Sequence, residues 1–171
     1  MTQVRVWASY GLGGVAFDPA SGERQLVARC KAAGFNPMGS PYQWSNIQTI
    51  VNEILLTPKT VKIAVGGDSL GANEAPAIAA ALVGKRDIDL LFGFQRSEYG
   101  EQVAVPANVI KAVNVYNPVW IETMGLGDDP WTRFPGNTRT LLRTIPLEVA
   151  HPDDWGQAQD IVFSYIKALA A

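Results

Sequence analysis

The sequence predicts an α/β fold: a three-layer sandwich with a mainly parallel sheet of about six strands and helices on both faces. Three observations point there. Short runs rich in β-branched and aromatic residues alternate along the chain with segments of helical period. Strands separated by helical patterns mean βαβ units, hence a mainly parallel sheet covered on both faces. The apolar run Val61–Val65 also passes through Gly66-Gly67 into an alanine-rich segment, the order of a βα unit.

The composition sets limits before any motif is read. A chain of 171 residues, 47% hydrophobic and 18% charged, suits one globular domain spanning 1–171 with a real core. A net charge of −2 gives no attraction to nucleic acid or to an anionic membrane surface. Cys30 is the single cysteine, which excludes an internal disulfide and any multi-cysteine metal site. No apolar run approaches the roughly 20 residues of a membrane span, so no stable membrane insertion is expected. The opening MTQVRVWASY carries no signal-peptide pattern. The expected location is therefore cytoplasmic, unless a leader has been removed ahead of this sequence. Oligomeric state is not encoded in any feature of the chain.

Val4–Ala8 is the first strand by its β-branched and aromatic content, and Tyr10-Gly11-Leu12-Gly13-Gly14 breaks it. A helix follows from Pro19 or Glu23 to Ala33, with Leu26, Val27, Cys30 and Ala33 on one face and Gly34 as its stop. Phe35–Met38 is a weak second strand. Ser45-x-x-Gln48 reads as a capping box opening a helix whose Ile47, Ile50, Val51, Ile54 and Leu55 keep the helical period. Pro58 lies just beyond it.

Val61–Val65 is the third strand, and the third helix begins after Ser69. Pro76 falls inside that helix, where proline costs about 3 kcal/mol, so a loosened first turn or a kink is expected. Asp89–Phe94 and Val109–Tyr116 are the fourth and fifth strands, joined by a polar loop from Arg96 to Asn108. The stretch Asn117–Asn137 is irregular, and Thr138–Leu147 is the sixth strand. A last helix starts at Asp153 or Asp154, with Ala158, Ile161, Val162, Tyr165, Ile166 and Leu169 as its apolar stripe.

In such sheets ligands bind at the carboxyl ends of the strands. Gly67-Asp68-Ser69-Leu70-Gly71 is a G-x-S-x-G at that rim, between a strand and a helix, which is the context the motif requires. A serine hydroxyl is a weak nucleophile, so it must be held out on a sharp turn beside a base. The plainer alternative is a glycine-rich βα turn of no chemical consequence. His151 is the only histidine, and it lies between the last strand and the last helix, on the same rim. If imidazole activates Ser69, no other residue can supply it.

These features resemble a minimal α/β-hydrolase over nearly the whole chain. Tyr10-Gly11-Leu12-Gly13-Gly14 is similar to the family's His-Gly-x-Gly-Gly loop, with Tyr10 in the histidine's place. The resemblance implies an oxyanion hole from the backbone N–H groups of Leu12 and Leu70. Ser69-Leu70-Gly71-Ala72-Asn73 also resembles the run that often follows the nucleophile there. The family's acid follows the strand before the histidine's strand. Asn117 stands first in that place, and Gly125-x-x-Asp128 resembles the family's acid turn. Asp128 or Asp129 is the implied acid, with Glu122 and Glu148 as further candidates and Asn117 as an uncharged substitute.

A second resemblance is to SGNH/GDSL esterases. Gly67-Asp68-Ser69-Leu70 spells their motif and Glu148-x-x-His151-Pro152 is similar to their histidine block. Those enzymes place the serine after the first strand, and here two βα units precede it. Both resemblances imply a serine esterase acting on a carboxylic ester or thioester, with a small-molecule ester or lipid-like substrate. A third reading is a catalytically weak or inactive binding module on the same fold. Tyr42, Trp44, Phe94, Tyr99, Trp120 and Trp131 fall near the rim, where they could line an apolar acyl pocket, although such aromatics more often simply pack loops onto the sheet. With no metal-ligand cluster and no phosphate loop, no cofactor and no metal are expected.

Overall fold

A computed structural model describes residues 2–11, 22–39, 41–97, 99–118, 130–147 and 155–171. In chain order the elements are β1 (Val4–Tyr10), α1 (Gly22–Ala32), β2 (Asn36–Pro37), β3 (Tyr42–Gln43), α2 (Ile47–Leu56), β4 (Lys62–Ser69) and α3 (Leu70–Ala81). They continue with β5 (Ile88–Arg96), β6 (Val109–Tyr116), β7 (Leu141–Pro146) and α4 (Trp155–Ala168). The strands form one sheet in the order β2-β1-β4-β5-β6-β7, with β3 also paired to β1. Among the described residues every strand pairing is parallel. The α/β class is therefore as the sequence predicts.

The sheet has 7 strands rather than about six because the short β3 at Tyr42–Gln43 adds to the expected set, beyond the strand expected at Phe35–Met38. β2 pairs with Arg5 and Val6, and β3 pairs with Ser9 and Tyr10, so both lie along the same outer edge of β1. Pro37 cannot donate to a ladder, and an edge is where a sheet tolerates it. The sixth expected strand also shortens, starting at Leu141 instead of Thr138. Thr140 and Asn137 are instead drawn into local bonds: Asn137 Nδ2 donates to Thr140 Oγ1, and that hydroxyl donates to the Val109 carbonyl.

Alternate residues of the strands feed two cores. Trp7, Ile63, Val65, Leu91 and Ala112 pack against Ile50, Val51 and Ile54 of α2 and Ala72, Ala75, Ile78 and Ala79 of α3. Val6, Ala8, Ala64, Leu90, Phe92, Val113 and Val115 pack against Leu26, Val27 and Cys30 of α1 and Ala158, Val162 and Ile166 of α4. The period of two in the strands and of 3.6 in the helices puts apolar side chains between the layers. Each buried aliphatic side chain contributes about 1.5–3 kcal/mol. This is the three-layer arrangement with helices on both faces.

α3 is buried nearly all round, which explains its run of small side chains. Pro76 lies within it, and the helix continues through to Ala81. Proline has no N–H to give the carbonyl four residues back, at Ala72. That carbonyl receives the indole N–H of Trp131 instead, at 3.2 Å. Trp131 is fully enclosed, its backbone N–H donates to Asn114 Oδ1, and its ring lies flush against Gly93, where a Cβ would stand 2.5 Å from it. So the proline is compensated from outside its own helix.

One local expectation fails. The capping box at Ser45 and Gln48 does not form: Asn46 is the N-cap of α2, at φ −85 and ψ 27, with no side-chain cap bond. Asn46 Oδ1 turns back to accept the Gln43 N–H, and Gln48 donates to Asn52. The turn out of β3 claims the asparagine that would otherwise have stabilised the helix start.

Candidate active site

β4 runs through the glycine pair and ends on Ser69, longer than the Val61–Val65 expected from its apolar core. Ser69 is at once the last strand residue and the N-cap of α3, with φ 53 and ψ −120. A non-glycine residue held there costs about 1–3 kcal/mol, and such strain gathers at functional sites. A serine at an N-cap ordinarily bonds the first-turn N–H groups. Ser69 makes no such bond, so its hydroxyl is not committed to its own helix.

The tight turn depends on absent side chains. Gly67 and Gly71 both lie against the Ser9 carbonyl, and a Cβ on Gly67 would come within 2.9 Å of the Gly71 carbonyl carbon. Gly11, at the end of β1, covers the serine from the other side. A Cβ there would stand 2.8 Å from Ser69 Oγ and 2.9 Å from the Leu70 nitrogen. The chain that leads into Leu12 thus passes directly over the serine hydroxyl and the Leu70 N–H.

The neighbouring strand is also irregular at this level. Asp68 pairs with Phe94 but Ser69 pairs with Arg96, so Gln95 is an extra residue in a bulge beside the serine. Bulges next to sites re-aim side chains. Gln95 takes φ 39, and with Ser69 it is one of two non-glycine residues at positive φ among those described. Its Oε1 accepts the Asn117 N–H at 2.7 Å, while its Nε2 is buried without a partner among the described residues.

Two further polar groups shape the rim. Asn73, 2% exposed on the first turns of α3, donates from Nδ2 to the Ser97 carbonyl and accepts the Ser97 N–H at Oδ1. That pair fastens the segment after β5, including Gly100 and the exposed Tyr99, to the helix that starts at the serine. Asp68, next to Ser69, is hydrogen-bonded to the buried Glu23 of α1. Burial pushes the Asp68 carboxyl well above the ordinary carboxylate range. The Glu23 charge and the bond between the two acids push the same way, while the Ser69 N–H pulls it down. Glu23 is raised chiefly by burial and held back by its own backbone N–H and the Asp68 bond. Both carboxyls are thus pushed up chiefly by burial, and a hydrogen bond between two acids needs a proton on one of them.

Of the residues the sequence marks, Ser69, Leu70 and Asn117 are described. Asn117 directly follows β6, is buried, and is tied to Gln95. Leu12, Glu122, Asp128, Asp129, Glu148 and His151 lie outside the described residues, as does Trp120. Of the aromatics that could have lined a pocket, two pack into the core: Trp131 braces α3, and Phe94 packs edge-on with Phe92 in the α1/α4 layer. Tyr42 gives its hydroxyl hydrogen to Glu53, which also takes the Trp7 indole N–H. Tyr99 remains exposed at the rim. Among the described residues no group of side chains could hold a metal ion, and no described helix is long and apolar enough to cross a membrane.

Glu23, Asn73 and Gln95 were not singled out as site residues by the sequence. Only Asn73 had a signal, as the last residue of the Ser69–Asn73 run.

The chain matches no protein-family model and no curated protein. Among solved structures it is similar to a candidate hydrolase of the alpha/beta superfamily from Xanthomonas campestris pv. campestris, at 11% identity and a TM-score of 0.48, over 97% of each chain.

Proposed function

We propose that this chain is a serine hydrolase that cleaves a carboxylic ester or thioester through an acyl-enzyme. The observation that carries the reading is the backbone of Ser69. A serine at φ 53, between strand and helix, with its hydroxyl unused as a cap, is a residue held for chemistry rather than for stability. The glycines at 67 and 71 that permit the turn, and Gly11 above the hydroxyl, support it.

In this reading Ser69 Oγ attacks the ester carbonyl carbon as its proton passes to His151. The oxygen of the tetrahedral intermediate takes hydrogen bonds from the Leu70 and Leu12 backbone N–H groups. The C–O bond then breaks, and His151 returns the proton to the departing alcohol. Water, deprotonated by the same imidazole, releases the acid and restores Ser69. Asp128 or Asp129 holds the imidazole tautomer. The chemistry needs no cofactor, and the substrate is a small-molecule or lipid-like ester.

Ser69 stands on the fourth strand of the chain, after two helices, which favours this reading over the SGNH one. Hydrolysis of p-nitrophenyl esters of increasing acyl length is the test. Ser69→Ala should lower kcat by about 10³- to 10⁶-fold while the protein stays folded. An Ala variant that keeps most of its activity would overturn the assignment.

A further inference from the structure

We infer that Gln95 is a positioning residue of this site, tying the exit of β6 to the β5 bulge beside Ser69. The inference rests on the serine-hydrolase reading above. Its starting point is that the residue is costly where it stands. Gln95 holds a positive φ that glycine would adopt freely, and it buries an amide nitrogen with no partner among the described residues. A residue selected for stability alone would avoid both. What only its side chain provides is the 2.7 Å bond from the Asn117 N–H to Oε1.

The placement gives that bond its meaning. The bulge residue lies opposite the Asp68–Ser69 step of β4, and Asn117 is the first residue beyond β6. The chain beyond Asn117 carries Glu122, Asp128 and Asp129, the candidates for the acid that orients the imidazole. The Gln95 amide therefore fixes the origin of the acid-bearing segment relative to the nucleophile, across the intervening strand. Small displacements within such a constellation lower turnover steeply while leaving substrate binding nearly intact. The strain at residues 69 and 95 is then one device. The bulge in β5 stands beside Ser69, and its extra residue, Gln95, is the one that bonds the segment after β6.

Three substitutions separate this role from a structural one. Gln95→Gly relieves the backbone and removes the bond. Gln95→Leu keeps the strain and removes the bond. Gln95→Glu keeps an oxygen that accepts the Asn117 N–H. The measurements are kcat and KM for p-nitrophenyl butyrate, and urea denaturation midpoints, beside Ser69→Ala. Gln95→Gly and Gln95→Leu should lose about 10- to 100-fold in kcat with KM within about twofold, and Gln95→Glu should stay within about threefold of wild type. The midpoint of Gln95→Gly should equal or exceed that of wild type, so stability and turnover move in opposite directions.

The inference is overturned if Gln95→Gly keeps its kcat, if Gln95→Glu is as slow as Gln95→Leu, or if the kcat losses follow the losses in midpoint. Should the glycine variant not fold, the Glu and Leu variants still decide. If Ser69→Ala stays active, the hydrolase reading falls and this inference with it. If only the Gln95 variants are unaffected, this inference falls alone.

Discussion

At the amino ends of the strands the polar contacts are of an ordinary kind: Lys62 pairs with Asp89, Arg139 with Asp87, and Arg86 reaches the Pro58 and Val61 carbonyls. At the carboxyl ends, a few residues further along the same strands, the chain holds two positive-φ side chains, a bulge, and Asp68 hydrogen-bonded to the buried Glu23 of α1. The first set secures a fold. The second set lowers its stability, and it is concentrated on one serine. That asymmetry is what a ligand site at the carboxyl rim of a parallel sheet should produce.

The comparison can be broken by substitution at either end. The largest effect should come from Gly71→Ala. Its Cβ would drive into the backbone of Ser9, which cannot rotate away. A loss of about 2–3 kcal/mol is expected in chemical denaturation despite the better helix propensity of alanine, with ester hydrolysis reduced as the turn opens. A variant as stable as wild type would mean that the turn is slack.

A smaller effect, with a definite sign, belongs to Asp68. In the unfolded chain its carboxyl ionises at about pH 4, and in the fold it holds its proton to higher pH. The folded state therefore binds more protons across that window, and stability should fall as pH rises through it. Asp68→Asn carries no charge and keeps a donor towards Glu23, so it should flatten the decline and be the more stable protein at pH 8. Parallel pH profiles for the two proteins would contradict this account of the Asp68 carboxyl.

The smallest effect should lie at the other end of the sheet. Arg139 and Asp87 are both about half exposed, at 53% and 49%, and such pairs are screened by water and salt. Arg139→Ala should leave the denaturation midpoint and ester hydrolysis unchanged within error. A shift as large as that of Gly71→Ala would erase the contrast between the two ends.

Much of the fold was legible because periodicity reports burial, and burial follows from the layers. β6 begins and ends where Val109–Tyr116 said it would, and α1 stops before Gly34, which takes φ 81. The serine turn was legible because its glycines are local in sequence. What could not be read are contacts set by distant partners. Trp131 looked like a rim aromatic because nothing near it announces that Ala72, 59 residues away, needs a donor. Gln95 looked like the polar end of a strand, since a bulge arises from the pairing of β4 with β5 and from neither alone. Likewise the cap at Ser45 satisfied a local pattern that the turn after β3 overrode.

The central claim is that Ser69 is held in a strained turn at the end of its strand to react. The direct measurement is labelling of the folded wild-type protein with a fluorophosphonate, followed by peptide mapping. The expected result is one phosphonyl group per chain on the Ser69 hydroxyl, and none on the Ser69→Ala variant. A folded protein that takes no label, or that takes it at another residue, would contradict the account.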